Sequence, residues 1–588
     1  MYRLTIIFLF VFSNVSIAND LKPKLRVNAK AMKYSIAQTQ EHVFEIPLKK
    51  DLYYHLLIEQ QGVSVIVCLK DKNNNTLQEK ISPPGKKRGQ EKITFSPDSS
   101  GLYIITVKPL AEKDNSGDYS ISISGIPNKL QTFTLSQLAE DFEILKNAYI
   151  ETRVGLWYNN YPAFDSLCRQ QKNKLQNKMT ALDLYKIVAP VTSFTKEGHC
   201  YINPSVETSD YLMQNGSFFP LFVKILNKEI YAVNDFGNYK TRGLLISKIN
   251  GIAADSILDE FTRIEPADGF NFTSKYHWIE TSFSKYYLRF FGPSGSFSIE
   301  LIDPATKEKI LYNNVPAVSY KEYTRLHQAL LKEYPGFGFS KPYLFSIDGL
   351  KNEALLTVND FDEDEKDFQQ FLDSCFTSIK DKNIQNLVID IRKNEGGAQG
   401  MEDILMSYLI KSRYEKYKYV AIPSTTYSFL EFTNYKNRRE KLARELSNEF
   451  YQAYDGSLVN KKGFYEGRDP AKIHFDGNIY ILINGLTFSG ASEFAALAKN
   501  HTNAVFIGEE TGGGYYGNTS GSYLSFTLPH TKLLGRIPLC KFVVEVQNKS
   551  IPFGRGLLAD YTVQPTIQDI LNGKDIELEF ARTLINKK

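Results

Sequence analysis

The chain has little of what marks several common protein classes. Only 5 of its 588 residues are cysteine, they are scattered, and no C-x-x-C or H-x-x-x-H spacing occurs. A disulfide framework and a structural zinc site are therefore not expected. After the N-terminal region, no run reaches the ~18 apolar residues of a membrane-spanning helix, so we expect no membrane span in the mature chain.

The charge and composition are those of an ordinary globular protein. The 70 basic and 66 acidic side chains nearly balance at a net charge of +4, which gives no support to nucleic-acid binding. Hydrophobic residues make up 42% of the chain and charged residues 23%, which argues against disorder. The 39 Phe and 36 Tyr favour strand-rich packing. A chain of 588 residues is long enough for several domains.

The first 18 residues have the pattern of a secretory signal peptide. Arg3 precedes an apolar run, and S-I-A ends at Ala18 before a polar segment. The run is too short to span a bilayer comfortably, so cleavage after Ala18 is expected rather than an uncleaved anchor. No cysteine follows the run, which argues against a lipoprotein. We therefore expect a periplasmic or secreted protein.

The patterns beyond the signal peptide change along the chain and predict a multidomain α/β and β fold. Short alternating strands such as S-S-G-L-Y-I-I-T-V and S-G-D-Y-S-I-S-I, with the polar turn D-K-N-N-N-T-L, predict an N-terminal β-sandwich. This order resembles the jelly-roll accessory domains of secreted bacterial peptidases. Helical periodicity follows, then a β-rich part, then apolar strands alternating with helices in a mainly parallel sheet. The predicted domains are the signal peptide 1–18, the sandwich 19–128, a helical segment 129–204, a β-rich domain 205–325 and an α/β core 326–588.

Two details refine this prediction. In the β-rich domain, a strand ending in I-N-G at Gly251, with an amphipathic helix from about Asp255, resembles a PDZ domain, although F-F-P-L-F-V is only a loose substitute for a G-L-G-F loop. PDZ domains bind extended peptides at a sheet edge. In the α/β core, the Tyr-rich and charged stretch 411–469 is interpreted as a helical insertion.

The most informative segment reads N-G-L-T-F-S-G-A-S-E-F-A-A-L and directly follows an apolar strand that ends at Ile483. A serine at a strand-to-helix turn has an exposed hydroxyl, and the N-terminal amides of the next helix can stabilise an oxyanion. Ser489 is therefore a candidate nucleophile. The competing interpretation is helix capping, in which the Ser489 hydroxyl bonds to amides of the next turn.

Two glycine-rich turns follow other predicted strands. The segment D-I-R-K-N-E-G-G ends at Gly396 and Gly397, and I-G-E-E-T-G-G-G ends at Gly514. Glycine lets the backbone approach a ligand closely and point its N–H groups at it. Each segment alone is also compatible with an ordinary turn.

Together, these three segments and the later A-D-Y-T-V-Q-P-T resemble the tail-specific, or carboxyl-terminal-processing, serine peptidase family, which includes the tricorn protease core. The likeness extends over about residues 130 to 585. It implies that Ser489 is the nucleophile. It also implies an oxyanion hole from the backbone N–H groups of Gly490 and of Gly396 or Gly397.

The predicted general base departs from the bacterial processing branch. There a lysine lies 25 positions after the serine, whereas here that position is Gly514 and the next lysine is Lys532. Tricorn-like members use a histidine from the helical segment instead, and T-K-E-G-H-C-Y places His199 at that position. The resemblance thus implies a Ser489–His199 site with a rate that rises with pH through a group titrating near neutrality.

The carboxylate that would orient the imidazole stays open, because no carboxylate lies at the tricorn position before G-R-G-L-L-A-D. The candidates are Glu545, Glu509, Glu510 and Asp560. A cooperating Cys200–His199 pair is not expected, since adjacent residues on a strand point to opposite faces.

The sequence therefore predicts an exported serine endopeptidase that cleaves unfolded or carboxyl-terminal peptide segments through an acyl-enzyme. No metal or organic cofactor is required, and the expected partners are polypeptide substrates. The alternative is a non-catalytic protein that binds a hydrophobic ligand or peptide on the same fold, since a fold does not fix a function. A serine hydrolase acting on esters is a third possibility. The oligomeric state stays open.

Overall fold

The computed structural model describes residues 24–50, 52–82, 88–110, 115–154, 157–334, 338, 341–454, 456–462 and 466–587. The chain divides into two compact units, 1–130 and 131–588. The predicted signal peptide, 1–18, lies outside the described residues.

The first unit is built from two four-stranded antiparallel sheets, with strand orders β1-β8-β3-β6 and β2-β7-β4-β5. Alternate side chains of β2, Phe44, Ile46 and Leu48, are buried in the core of this unit. The strands are β1 (Met32–Ile36), β2 (His42–Leu48), β3 (Leu52–Gln61), β4 (Val65–Lys70), β5 (Thr76–Ile81), β6 (Arg88–Phe95), β7 (Gly101–Pro109) and β8 (Gly117–Pro127).

The second unit opens with helices around short strands. Thr134 caps α1 in a capping box with Gln137, and Thr180 caps α3 in the same way with Asp183. These elements are β9 (Thr132–Phe133), α1 (Leu135–Glu151), α2 (Tyr161–Lys172), β10 (Met179–Thr180), α3 (Ala181–Phe194), β11 (Tyr201–Asn203) and α4 (Val206–Asn215). The turn between α3 and β11 carries His199.

A six-stranded antiparallel sheet follows, with the order β12-β13-β14-β16-β17 and β15 paired to β14. Its elements are β12 (Val223–Leu226), β13 (Glu229–Ala232), β14 (Leu245–Ile249), β15 (Ile252–Ala253), α5 (Ala254–Ile264), α6 (Thr273–Phe291), β16 (Ser296–Ile302), β17 (Lys309–Pro316) and α7 (Tyr320–Glu333). Helix α5 begins next to Asp255, where the sequence predicts an amphipathic helix, and buries Ile257, Leu258 and Phe261.

The remaining elements form the core that positions the serine. They are β18 (Tyr343–Asp348), β19 (Glu353–Val358), α8 (Glu365–Asp381), β20 (Asn386–Asp390), α9 (Met401–Ser407), β21 (Tyr417–Ile422), a short 3-10 helix (Ser428–Phe432), α10 (Arg439–Glu449), β22 (Phe450–Gln452), β23 (Leu458–Asn460), β24 (Asn478–Ile483), α11 (Gly490–His501), β25 (Val505–Gly508), β26 (Gly517–Ser520), β27 (Leu524–Thr527), β28 (Leu534–Ile537), β29 (Cys540–Val544), β30 (Tyr561–Thr562), α12 (Ile567–Leu571) and α13 (Ile576–Asn586).

The central sheet has the order β18-β19-β20-β24-β25-β30 and is parallel from β19 onward. Apolar side chains of α8, α9 and α11 pack on one face, and Ala581 and Ile585 of α13 pack on the other. The predicted multidomain α/β and β class is confirmed. Strand ends and helix starts meet at one edge of the sheet, where ligand sites of such folds form.

The interpretation of 411–469 as a helical insertion is wrong for most of its length. Among its described residues, only α10 is an α-helix. Strands β21, β22 and β23 join β29 and β26 in a five-stranded sheet of order β22-β23-β21-β29-β26. The partner strand β29 lies far along the chain, so local charge and tyrosine content gave no sign of this pairing. A separate three-stranded sheet has the order β11-β28-β27.

Candidate active site

Ser489 sits between the end of β24 and the start of α11, in a strained backbone conformation. Its φ of 52° and ψ of −126° are unusual for a residue with a side chain and hold its hydroxyl clear of the helix. Although Ser489 occupies the N-cap position, its side chain makes no capping hydrogen bond. The hydroxyl oxygen instead lies 3.0 Å from Nε2 of His199. This geometry argues against capping.

The loop before Ser489 is tied to its neighbours by hydrogen bonds. The Thr487 hydroxyl donates to the Ile391 carbonyl at the end of β20, and the Phe488 N–H donates to the Asn394 carbonyl. The Ser492 hydroxyl donates to the Thr487 carbonyl and accepts from the Gly513 N–H. The serine loop and both glycine-rich turns predicted from sequence thus form one connected structure.

His199 projects from the turn after α3 and packs on the ring of Phe488, with ring centroids 4.7 Å apart. A Cβ on Gly198 would lie 2.6 Å from that ring, so only glycine fits beside the histidine. Nδ1 of His199 is buried and has no hydrogen-bond partner among the described residues. Burial and the positive charge of Arg536 lower the pKa of His199 to about 3, so the imidazole is neutral at neutral pH.

Cys200 does not form a nucleophile with its neighbour His199. Its thiol is fully buried, and burial raises the pKa of the thiol to about 12, so little thiolate exists at neutral pH. The side chains of Cys200 and His199 lie in different surroundings, as expected for adjacent positions. All five cysteines are free thiols.

The glycine pair lies against Ser489. A Cβ on Gly396 would be 2.6 Å from the Ser489 Cβ, and one on Gly397 would be 2.2 Å from the Phe361 carbonyl carbon, so both positions need glycine. The Gly396 N–H donates to Asn394 Oδ1 at 2.8 Å and is engaged. The N–H groups of Gly397 and Gly490 donate to no acceptor in the described part of the chain. Of the predicted oxyanion donors, Gly397 and Gly490 are therefore available and Gly396 is not.

The sequence candidates for the third member do not contact His199. Glu509 pairs with His277 at 2.8 Å and accepts from the Gly485 N–H. Glu510 accepts from Arg555 Nε and from the Gly556 N–H, each at 2.8 Å. Asp560 pairs with Lys499 and accepts from the Phe506 N–H. Glu545 follows β29, where its own N–H donates to the Lys416 carbonyl. These assignments are corrected, because the first three carboxylates already have structural partners and Glu545 lies with Lys416.

Asp268, which the sequence reasoning missed, is a buried carboxylate bonded to the backbone of Gly198, the residue before His199. Its Oδ1 accepts from the Gly198 N–H at 2.8 Å and its Oδ2 accepts from the Gly514 N–H at 3.2 Å. Asp268 is buried, and burial raises the pKa of its carboxyl to about 6. It lies in a turn before α6, in a segment where Asp-Gly reads as an ordinary turn, so no sequence signal distinguished it.

Gly514 occupies the position where the processing branch has its lysine. A Cβ there would lie 2.4 Å from the Gly517 carbonyl oxygen, so the site has no room for a side chain. Lys416 is buried elsewhere in the core, where it pairs with Glu402, with Asp403 at 2.7 Å and with Glu493 of α11 at 4.0 Å. Burial raises the pKa of Glu402 to about 7. This cluster anchors the helix that begins after Ser489.

Ser489 and His199 open into a cavity of about 610 Å³. The wall comes from α3, the turn before α6, the glycine turn and β28, and the charged side chains that line it are Glu265, Asp362, Glu395 and Arg536. Trp278, Tyr286 and Tyr523 add aromatic surface. The cavity is therefore wide enough for a peptide segment and mixed in charge.

The β12 edge of the β-rich domain is partly occupied by an internal carboxylate. Glu280 of α6 is buried, accepts from the Ile225 N–H at 2.7 Å and pairs with Lys224 at 2.7 Å. His277 lies between Glu280 and Glu509, and although burial alone lowers its pKa, these two carboxylates raise it to about 9. The Ile225 N–H is therefore closed to an added peptide strand.

The part of the chain that the structure describes also lacks two features. No group of three or more His, Cys, Asp or Glu side chains there has the arrangement of a metal site. No helix in the same residues is long and apolar enough to cross a membrane.

Comparison with known proteins identifies the class of the core. Residues 352–527 match the family model of peptidase family S41, so the chain contains a domain of this family and is a serine-type peptidase, a hydrolase. The resemblance to the tail-specific family is confirmed. No curated protein matches the chain.

Solved structures show the same fold over about three quarters of the chain. Mature CPAF complexed with lactacystin has a TM-score of 0.53 at 14% identity, covering 77% of this chain and 99% of that chain. A second structure of mature CPAF has a TM-score of 0.51 at 15% identity, covering 77% and 96%. At these identities the likeness concerns the fold alone.

Proposed function

We propose that Ser489 and His199 form the catalytic pair of an exported serine endopeptidase that cleaves unfolded or carboxyl-terminal segments of polypeptides. The observation that carries the proposal is the 3.0 Å contact between His199 Nε2 and the Ser489 hydroxyl oxygen. The same hydroxyl makes no capping hydrogen bond to helix α11. A serine activated by an adjacent base is the arrangement that acyl transfer requires.

The chemistry follows from the positions of the side chains. As Ser489 Oγ attacks the scissile carbonyl carbon, His199 Nε2 takes its proton, and the Gly397 and Gly490 N–H groups stabilise the oxyanion. His199 then donates the proton to the leaving amine, and water resolves the acyl-enzyme. Asp268 accepts a hydrogen bond from the N–H of Gly198, the residue before His199. It thereby supplies negative charge near the imidazolium that forms.

Export and substrate class are supported by other features. The Arg3, apolar run and S-I-A pattern of residues 1–18 supports a periplasmic or secreted protein. The open cavity beside Ser489 is lined by several elements and suits an extended chain better than a folded surface. We take polypeptides without stable structure as the substrates, and the β-rich domain as an element that positions them.

The test compares hydrolysis of casein, an unstructured protein, by the wild type and by Ser489→Ala and His199→Ala. Each substitution is expected to lower the rate by roughly 10⁴-fold or more, because each removes one half of the catalytic pair. Ser550→Ala and His474→Ala, at exposed positions outside the cavity, are the matched controls. Circular dichroism checks that all variants are folded.

Casein cleavage at the wild-type rate by folded Ser489→Ala would contradict the proposal. A folded wild type that cleaves neither casein nor unstructured peptides would favour the non-catalytic binding protein instead.

A further inference from the structure

Arg536 lies in the wall of the active-site cavity. It belongs to the middle strand, β28, of the three-stranded sheet, opposite Tyr201 of β11 and Ser525 of β27. Directly paired residues of antiparallel strands share a face of the sheet. Arg536, Tyr201, His199 and Ser489 all line the same cavity.

The guanidinium of Arg536 has an aromatic neighbour but no acidic one. Its Cζ lies 3.3 Å from the centroid of the Tyr523 ring. Among the described residues, no carboxylate forms a salt bridge with it, whereas Arg392, Arg555 and Arg582 in the same unit each pair with carboxylates. A guanidinium held flat on a ring keeps its planar N–H donors in a fixed fork, which matches a carboxylate. Arg536 is therefore oriented for an anion from outside the chain.

The other charges of the cavity favour the same location for an anion. Asp362 and Glu395 are exposed in the cavity wall beside the Gly397 turn, where Phe361 pairs with Gly397. Glu265 is held at the back by Tyr286 and lies near Lys275. A negative group of a bound peptide is repelled from the Gly397 side and attracted to the His199 side, where Arg536 lies.

The position of Arg536 on the His199 side of the cavity determines which part of a bound peptide it contacts. His199 must return its proton to the leaving amine, so the segment that leaves lies against the histidine. Arg536 lies close enough to act on the same imidazole, because after burial its positive charge is the second cause that lowers the pKa of His199.

We propose that Arg536 binds a carboxylate on the leaving side of the scissile bond, either an acidic side chain or the free carboxyl terminus of the substrate. This inference rests on the proposed peptidase function. It makes the protein selective for peptides that carry negative charge just after the cleaved bond.

The test uses four peptides that share one cleaved bond, identified beforehand by mass spectrometry of a casein digest. The leaving segment contains Glu or Gln and ends in a free carboxylate or an amide, and kcat/KM is measured for each with wild type, Arg536→Gln and Arg536→Lys. Arg444→Gln, an exposed arginine of α10 outside the cavity, is the matched control.

We expect the wild type and Arg444→Gln to prefer an anionic peptide by about tenfold, the effect of one charge-assisted contact. Arg536→Gln should reduce the ratio of anionic to neutral kcat/KM to about one, and Arg536→Lys should retain part of it. If the wild type prefers the Glu peptides over the Gln peptides, the acidic side chain is the ligand of Arg536. If it prefers the peptides with a free carboxyl terminus over the amidated ones, the terminal carboxylate is the ligand. Added salt should weaken the wild-type preference.

A wild type without preference overturns the inference, as does an Arg536→Gln variant that slows all four peptides equally. If Arg536→Gln does not fold, Arg536→Lys and the salt dependence of the wild type decide. A wild type that cleaves no peptide contradicts the proposed function itself, which the casein experiment tests separately.

Discussion

Ser489 and His199 are 290 positions apart in the chain and 3.0 Å apart in the structure. The serine could be predicted from local chemistry, because an apolar strand, a tight turn and a small-residue helix define its position. Nothing local distinguishes His199 among the eight histidines of the sequence. Only the resemblance to a family singled it out, since its partner comes from a distant segment.

Asp268 shows where residue-level reasoning from sequence stops. Its role depends on two backbone N–H groups, of Gly198 and Gly514, from distant segments. The near-neutral titration expected from His199 is better assigned to Asp268, because the pKa of His199 is lowered to about 3 and that of Asp268 is raised to about 6.

The pH dependence of the rate should follow the titration of Asp268. Above pH 6 Asp268 is ionised, and as the pH falls through about 6 it is protonated. We expect its negative charge to stabilise the imidazolium of the transition state, so this stabilisation is lost at acidic pH. Glu493 acts on the Asp268 carboxyl through its charge, and the phenol of Tyr158 lies near it. We therefore expect wild-type kcat/KM to fall on the acidic side of about pH 6.

Asp268→Asn should lower kcat at pH 7.5 by roughly 100-fold and abolish the fall near pH 6, because an amide does not titrate in this range. Asp141→Asn, at a buried aspartate of α1 outside the cavity, controls for the general effect of such a change. An acidic limb near pH 6 that persists in folded Asp268→Asn would contradict this role.

At the scale of elements, prediction succeeded where a pattern repeats locally. Strand β24, its turn and α11 follow directly from the sequence, because a buried apolar strand runs into a helix of small residues. The prediction for residues 411–469 was wrong, because β21 pairs with β29 and no local pattern indicates a partner strand more than a hundred positions away. Whether a segment forms a helix or a strand depends on its local sequence, whereas the sheet that a strand joins depends on distant segments.

The Lys416 cluster makes an element-scale prediction about stability. Lys416→Met leaves Glu402, Asp403 and Glu493 buried without their cation, which costs about 3–5 kcal/mol. We expect a lower midpoint of urea unfolding for Lys416→Met. Lys418→Met, at an exposed position of β21, should leave the midpoint unchanged. Equal midpoints for Lys416→Met and the wild type would show that the cluster does not stabilise the fold.

At the scale of the whole molecule, the sequence allowed the fold class to be predicted, because the hydrophobic pattern changes from segment to segment along the chain. The arrangement of the site could not be predicted in full. The turn after α3, the segment before α6, the glycine turn and the serine loop are separate in sequence and meet only in the folded second unit. The positions of Asp268 and Arg536 near the site follow only from this folded arrangement.

The central claim is that Ser489 is a nucleophile activated by His199, and labelling with a fluorophosphonate probe tests it most directly. An activated serine is phosphonylated readily, whereas a serine that only shapes a binding site is not. We expect peptide mapping to place the label on Ser489 of the wild type, with little label in His199→Ala and none at this position in Ser489→Ala. A folded wild type that takes up no label, or takes it up at another serine, would contradict the claim.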